Sequence, residues 1–431
     1  MANKENGRKF TRYKLLGIAA GVFIAVGIVL AGLWAAEKNC DAAVQELPGV
    51  KFVRQVVSQD NQTGRTVMWQ TEKPMNAPGV EYRLFGDGAG DSKKVAAKAE
   101  NFTDDGVTVT LYTAELTGLP QGKQLEYRII GSDGAGPWHS LQLDAGKGFS
   151  ALIFPDSQSN NYSGWKSLAQ GAAERHPQAE FFINMGDLVD NGEDHRQWTA
   201  WLDSVEGIID RIPVAPVMGN HETYNMDWKV RQPAAYLQEF AVPGNGSSQY
   251  NRFYYSYDYG PVHFIVLNTQ QGELEELSPE LLAEQIAWFR RDAAASAKPW
   301  KVVLMHKDPL QYRIHNRPER TEGFSEEGQI WMPLFDEVGI DAVLSAHLHT
   351  YRNRGHIKNF QHAADGPLYI LTGVAGNVRY PGLWIDHALD EYVAPQPETD
   401  NYMVMEASQE ELNFFAYLSD GTLLDHAVVK H

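Results

Sequence analysis

Aspartate, asparagine and histidine recur in one arrangement between residues 150 and 351: an apolar run, then a polar cluster. The run 150–154 leads into Pro155-Asp156-Ser157-Gln158, and 181–185 leads into Gly186-Asp187-Leu188-Val189-Asp190-Asn191-Gly192. The run 214–218 leads into Gly219-Asn220-His221-Glu222, 302–305 into His306-Lys307-Asp308-Pro309, and 342–346 into His347-Leu348-His349-Thr350-Tyr351. Any one cluster is an ordinary turn, because Gly and Asp dominate turns. Five in succession, each behind a strand-like run, form a set. Cys40 is the only cysteine, so no disulfide framework and no cysteine-built zinc or iron–sulfur site is available. Oxygen and imidazole donors without thiolate suit Mn, Fe or Zn. Two such ions roughly 3.5–4 Å apart can clamp a phosphoryl group and activate a water for attack.

Those clusters need a scaffold that brings them to one place. After Gly148 apolar strand-like runs alternate with helical patterns, which predicts a layered α/β domain over residues 147–431. Side chains leaving the carboxyl ends of neighbouring strands converge on one sheet edge. Trp165, Leu168, Ala169 and Ala172 repeat at helical spacing, and Ser278-Pro279 opens a second helix with Leu282, Ile286 and Phe289 on one face. In His347-Leu348-His349 the period-two alternation of a strand puts both rings on one face. The runs 402–406, 413–418 and 423–429 read as strands closing the domain.

Ahead of it, residues 50–146 read as a small all-β sandwich, with strands at 52–57, 66–70, 81–85, 107–116 and 125–130 between Gly-, Asn- and Asp-rich turns. Trp69 is expected in its core.

The 431 residues carry 37 Lys and Arg against 55 Asp and Glu, a net charge of −18. That balance disfavours nucleic-acid binding beyond nucleotide substrates, since phosphate backbones are gripped by basic side chains. The first fourteen residues run the other way, with Lys4, Arg8, Lys9, Arg12 and Lys14 against Glu5. Residues 15–36 follow without a charge. As a helix they would reach roughly 33 Å, enough for a hydrocarbon core of about 30 Å. The expectation is a cytoplasmic basic tail (1–14), a single transmembrane signal-anchor helix (15–36), a linker (37–49) and an extracytoplasmic remainder. A cleaved signal peptide and a secreted form is the runner-up.

The ordered set of five clusters resembles the calcineurin-like metallophosphoesterases. The stretch Leu116-Thr117-Gly118-Leu119-Pro120, followed by Tyr127, resembles fibronectin type III domains, so the nearest pattern is that of purple acid phosphatases. The resemblance implies a catalytic domain with two central sheets flanked by helices, and a centre of two divalent or trivalent ions. It implies Asp156 and His349 on the first metal, Asp187 bridging, Asn220, His306 and His347 on the second, and His221 beside the phosphate. Three positions depart from the family pattern: Pro155, Ala346 and, most consequentially, Asp190, where purple acid phosphatases carry a metal-bound tyrosine. Asp190 instead resembles the second motif of calcineurin-type phosphatases, in which that Asp supports the His of Asn-His-Glu. The expectation is an Asp190–His221 dyad, no tyrosinate colour, and Gln158 replacing the lost ligand. Asn191, His315 and Tyr351 are the expected substrate-facing residues. The implied activity is hydrolysis of small phosphate esters by a metal-bridging hydroxide, as a phosphomonoesterase. A phosphodiesterase or nucleotidase on the same core is the alternative, and a non-catalytic surface-binding protein is the alternative from another class.

Overall fold

A computed structural model describes residue 47 and residues 49–86, 91–376 and 378–431. The expected basic tail, the anchor at 15–36 and the linker apart from Leu47 and Gly49 lie outside the described residues. Among the described residues no helix is long and apolar enough to cross a membrane.

The N-terminal part is a sandwich of two sheets. One runs Lys51–Val56, Arg65–Thr71, Val107–Leu116, Lys98–Asp104 in spatial order; the other is built on Lys93–Ala96, Gly79–Leu84 and Leu125–Gly131. Trp69 is buried between them and stacks on Tyr112 at 5.2 Å.

The sandwich does not stand apart as a separate module. Val56 pairs in parallel with Val214, so its first sheet continues edge to edge into the C-terminal domain as one ten-stranded sheet. The pairing covers two edges that would otherwise be open. Beside it Arg54, fully buried, donates from Nη2 to Glu239 Oε2 (2.8 Å) and from Nε to the Glu239 carbonyl (2.8 Å). The Tyr127 hydroxyl donates to the Asp210 carbonyl at 2.7 Å. At the far end, Arg231 Nη1 donates to Asp104 Oδ1 at 2.9 Å.

The C-terminal domain stacks two sheets. The first continues through Phe181–Asn184, Phe149–Phe154, Asn401–Ala407, Glu411–Leu418 and Leu423–Lys430, beyond Val214–Pro216. The second runs Tyr255–Tyr259, Val262–Val266, Trp300–Leu304, Ala342–Ser345, Leu368–Thr372, Tyr351–Lys358. Alternation divides the second sheet: Phe264, Val302, Leu304 and Leu344 face the core between the sheets, while Ile265, Val303, Met305 and Val343 face the helix layer. Helix Ser163–Arg175 buries Trp165, Leu168, Ala169 and Ala172, as its spacing predicts. The second predicted helix begins at Leu281, two residues beyond Ser278-Pro279. Its buried face is therefore Leu281, Gln285, Trp288, Phe289 and Ala293, with Leu282 and Ile286 only half-buried. All five motif strands are parallel to their motif neighbours within each sheet, so their carboxyl ends open on one side.

Candidate metal centre

Each cluster begins where its strand ends: Phe154, Asn184, Pro216, Leu304 and Ser345 are the last strand residues. Asp156 is fully buried; its Oδ1 accepts from the His347 amide (3.0 Å) and its Oδ2 lies 3.1 Å from His349 Nε2. Asp187 is buried beside it, with Oδ2 3.1 Å from His306 Nε2 and Oδ1 accepting from the His221 amide at 2.9 Å. Asn220 Oδ1 lies 3.2 Å from the same His306 Nε2. Two groups of donor atoms therefore form, Asp156–Asp187–His349 and Asp187–His306–His347, with Asp187 common to both.

The hydrogen bonds on the far side of the rings decide what these atoms can do. His306 Nδ1 is 3.0 Å from the Met185 carbonyl and His349 Nδ1 is 2.9 Å from the Val378 carbonyl. A carbonyl only accepts, so each Nδ1 carries a proton and each Nε2 is the atom left to face a carboxylate oxygen. Whatever lies between Nε2 and oxygen at 3.1 Å must be positive, a proton on the ring or a metal ion that displaces it. Asp156 Oδ2, His347 Nδ1 and Gln158 Oε1 are buried polar atoms without a hydrogen-bond partner, which buried groups of this kind rarely are. The donor set fits a pair of transition-metal ions. Burial lowers His306, yet the charges of Asp187 and Asp156 push it up to about 10, so the site draws positive charge. Burial and the adjacent His306 hold His347 down to about 3.

The ligands reach the centre through strained turns. Asp187, His347 and His349 have φ of 49°, 75° and 52°, a region that costs non-glycine residues and is tolerated where function requires it. His347 and His349 thus lie beyond the strand Ala342–Ser345, and their convergence comes from two left-handed turns rather than from strand alternation. Gly219 must be glycine, because a Cβ there would sit 2.1 Å from Asp187 Oδ1.

His221 Nδ1 lies 2.7 Å from the main-chain carbonyl of Asp190 and 3.7 Å from its Oδ1. Asp190 thus holds the ring through its backbone, and its carboxylate contributes charge without a hydrogen bond. The Nε2 is left facing the centre, 4.0 Å from Asp187 Oδ2. Burial lowers His221, but Asp187 and Asp190 outweigh it and raise the ring above its ordinary value.

The three expected substrate residues do not join this cluster. Tyr351 is fully buried and donates to Asp425 Oδ2 at 2.9 Å. Asn191 spends its side chain on the loop, donating to the Asn225 carbonyl and accepting from the Glu193 amide. His315 is exposed, its amide bonded to the Leu383 carbonyl. Leu383 in turn lines a cavity of about 150 Å³ beside His349.

Glu222, named in the sequence only as the end of a motif, proves central. Its buried carboxylate accepts from the amides of Asp187 (3.0 Å), Leu188 (2.8 Å), Val189 (3.4 Å) and Gly219 (2.7 Å), clamping two ligand loops together. Gln197 Oε1 does similar service for the amides of Asp190 and Asn191, at 2.7 and 3.0 Å. Tyr380 stands against His349, ring centroids 5.0 Å apart. Acceptors for main-chain amides leave no spacing signal, which is why these residues escape a sequence reading.

Comparison with known proteins gives this geometry its family. Residues 149–351 match the model for calcineurin-like phosphoesterases, and residues 51–143 match the purple acid phosphatase N-terminal domain. The chain thus carries a calcineurin-like phosphoesterase domain behind a purple acid phosphatase N-terminal domain. It is 29% identical over 212 residues to purple acid phosphatase 15 of Arabidopsis thaliana, covering 48% of this chain and 37% of that one. To acid phosphatase type 7 of Mus musculus it is 24% identical over 332 residues, covering 68% and 73%. Among solved structures, a purple acid phosphatase from yellow lupin (Lupinus luteus) seeds superposes with a TM-score of 0.71 at 16% identity, covering 89% of this chain and 74% of that one. That likeness establishes a shared fold. The chain spans under two fifths of the length of the plant relatives purple acid phosphatase 15 and 23.

Proposed function

We propose that this chain hydrolyses small phosphate esters, with phosphomonoesters as its principal substrates. The observation that carries the reading is the pair of Nε2 atoms, on His306 and His349, aimed at carboxylate oxygens of Asp187 and Asp156 with both Nδ1 protons committed to carbonyls. Asp156, His349 and Gln158 would hold one Fe, Mn or Zn ion, Asn220, His306 and His347 the other, and Asp187 both. Such a pair, when bound, polarises the phosphoryl group and acidifies a water. The chain's own part is positional. Glu222 fixes the Asp187 loop and Gly219 with four accepted hydrogen bonds. His221, pinned through Nδ1, offers Nε2 as the atom that protonates the leaving oxygen.

The test is turnover of p-nitrophenyl phosphate by the full chain, beside a chelator-treated sample and Asp187→Asn. Undiminished turnover in either control overturns the two-metal reading. A metal-replete protein that turns over no mono- or diester leaves the surface-binding alternative.

The same proposal places the enzyme outside the cytoplasm, tethered by residues 15–36, because an uncharged stretch of this length behind a basic tail is what a signal anchor requires. Protease added to intact cells should then remove the catalytic domain from the membrane fraction.

A further inference from the structure

Exposed aromatic side chains are few on this surface, and two of them stand on histidines of the centre. Among the described residues Phe85, Trp228, Phe360 and Tyr380 are the exposed aromatics. Trp228 is 56% exposed, yet its ring lies 5.8 Å from His221, edge to face at 90°. Tyr224 completes the group, 5.9 Å from His221 and 6.0 Å from Trp228. Met226 and Val230, also exposed, extend the apolar surface along the same hairpin, which a bridge between Tyr224 and Val230 closes.

This hairpin is held in place. Asn225 Oδ1 accepts from the amides of Asp227 (3.0 Å) and Lys229 (2.8 Å), and the Trp228 amide donates to the Asn225 carbonyl at 2.9 Å. The Met226 amide donates to Glu193 Oε2 at 2.8 Å. Arg231 ties the hairpin's base to Asp104 of the sandwich and to Glu193. Trp228 itself is kept at φ 60°, a conformation bulky residues avoid. An indole fixed in water by that much scaffolding, against the ring that faces the leaving oxygen, has a place for a ligand beside it.

We propose that Trp228 is the specificity residue for the leaving group, and that the preferred esters carry a planar aromatic alcohol. The inference rests on the phosphoesterase reading above. A leaving oxygen within reach of His221 Nε2 puts the carbon attached to it one bond further out, over the indole that packs on His221. Aromatic surfaces offset-stack with a gain beyond simple area burial. The surrounding charges, Asp190, Glu193, Asp227 and Glu273 against Lys229, Arg231 and Lys307, lean slightly negative, which disfavours polyanionic leaving groups such as a nucleoside diphosphate.

The experiment compares kcat/KM for 2-naphthyl phosphate and glycerol 2-phosphate in the metal-replete full chain and in Trp228→Ala. The readout is the change in the ratio between the two esters from wild type to variant, in which differences in intrinsic leaving-group reactivity cancel. The aryl-over-alkyl ratio should fall about tenfold in Trp228→Ala, mostly through KM, the size expected for loss of one stacking partner. Trp228→Phe should restore most of it. An unchanged ratio, whether both esters hold or both decline together, overturns the proposal while leaving the phosphoesterase reading intact. Wild-type protein that turns over neither ester overturns both.

Discussion

Two places in this molecule bury histidine among aspartates, and they are built for opposite ends. At His263 both ring nitrogens meet carboxylates: Nδ1 lies 2.7 Å from Asp258 Oδ1 and Nε2 lies 2.9 Å from Asp292 Oδ2. Burial lowers the ring, but hydrogen bonds from both carboxylates raise it to about 9. A single proton satisfies that group, and nothing is left to bind. In the metal centre the far nitrogens of His306 and His349 are taken by main-chain carbonyls, and the near ones face carboxylates within groups of three donor atoms, more than a single proton satisfies. Residue type does not separate the two clusters. The partner of the second nitrogen does, since it fixes which tautomer the ring presents.

The strongest challenge to that contrast is a matched pair of substitutions. Asp187→Asn removes the carboxylate common to both donor groups. It should lower both metal content and kcat by more than the roughly 100-fold that a ligand's outer partners carry. His263→Gln should keep a full metal complement and change kcat by less than about twofold, because surroundings this far from the reacting atoms act on stability alone. Elemental analysis of the two proteins beside their turnover reads both. Metal loss in His263→Gln would erase the distinction.

A smaller effect sharpens it from the backbone side. Glu222→Gln leaves one acceptor oxygen for four amides and turns an NH₂ toward donors. The ligand loops should loosen, with metal affinity falling by about 10–100-fold, the range for partners that orient ligands. Competition with a graded chelator measures it, and the main-chain carbonyls that fix His306 and His349 are untouched. A variant that releases metal no more readily than wild type would mean that Asp187 and Gly219 hold their places without the clamp.

Smaller again is Asp190→Asn. A hydrogen-bonded carboxylate dyad would make this substitution severe. Here the Asp190 carbonyl holds His221 at 2.7 Å and the carboxylate stands 3.7 Å off, so the change removes charge and keeps orientation. The expected loss in kcat is only a few-fold, against the roughly 10²–10⁴-fold of a removed proton donor in His221→Ala. A loss in Asp190→Asn as large as in His221→Ala would restore the dyad.

What the sequence makes legible follows from the same physics. The metal ligands are visible because each follows a strand, and strands announce themselves by apolar runs such as 302–305. Register, by contrast, is invisible where little specifies it: Val56 joins Val214 through a single pair, and nothing in either strand names its partner. Lys93–Ala96 and Lys98–Asp104 are missed as strands because their exposed residues lack alternation. His347 and His349 converge for a reason the sequence hides, because period-two reasoning does not survive residues at φ 75° and 52°. Glu222 and Gln197 are missed because their partners are amides, which every residue carries.

The least effect belongs to His263, and it is the one that tests the closed cluster on its own terms. The folded ring titrates at about 9, above the ~6.5 of an unfolded chain. A raised folded value means that the proton stabilises the native state, so the contribution is complete below about pH 6.5, fades through the interval up to 9 and is absent above it. Asp258 is 42% exposed with Lys298 Nζ 4.0 Å away, so solvent and the lysine share in compensating its charge and the contribution should be about 1–2 kcal/mol rather than the full shift. Urea unfolding of wild type and His263→Gln at intervals between pH 6.5 and 9.5 isolates it, because every other titrating group is common to both proteins. The stability difference should shrink steadily as pH rises. A difference that stays constant would mean that His263 holds Asp258 and Asp292 as a neutral ring, and the two clusters would then differ in geometry but not in charge.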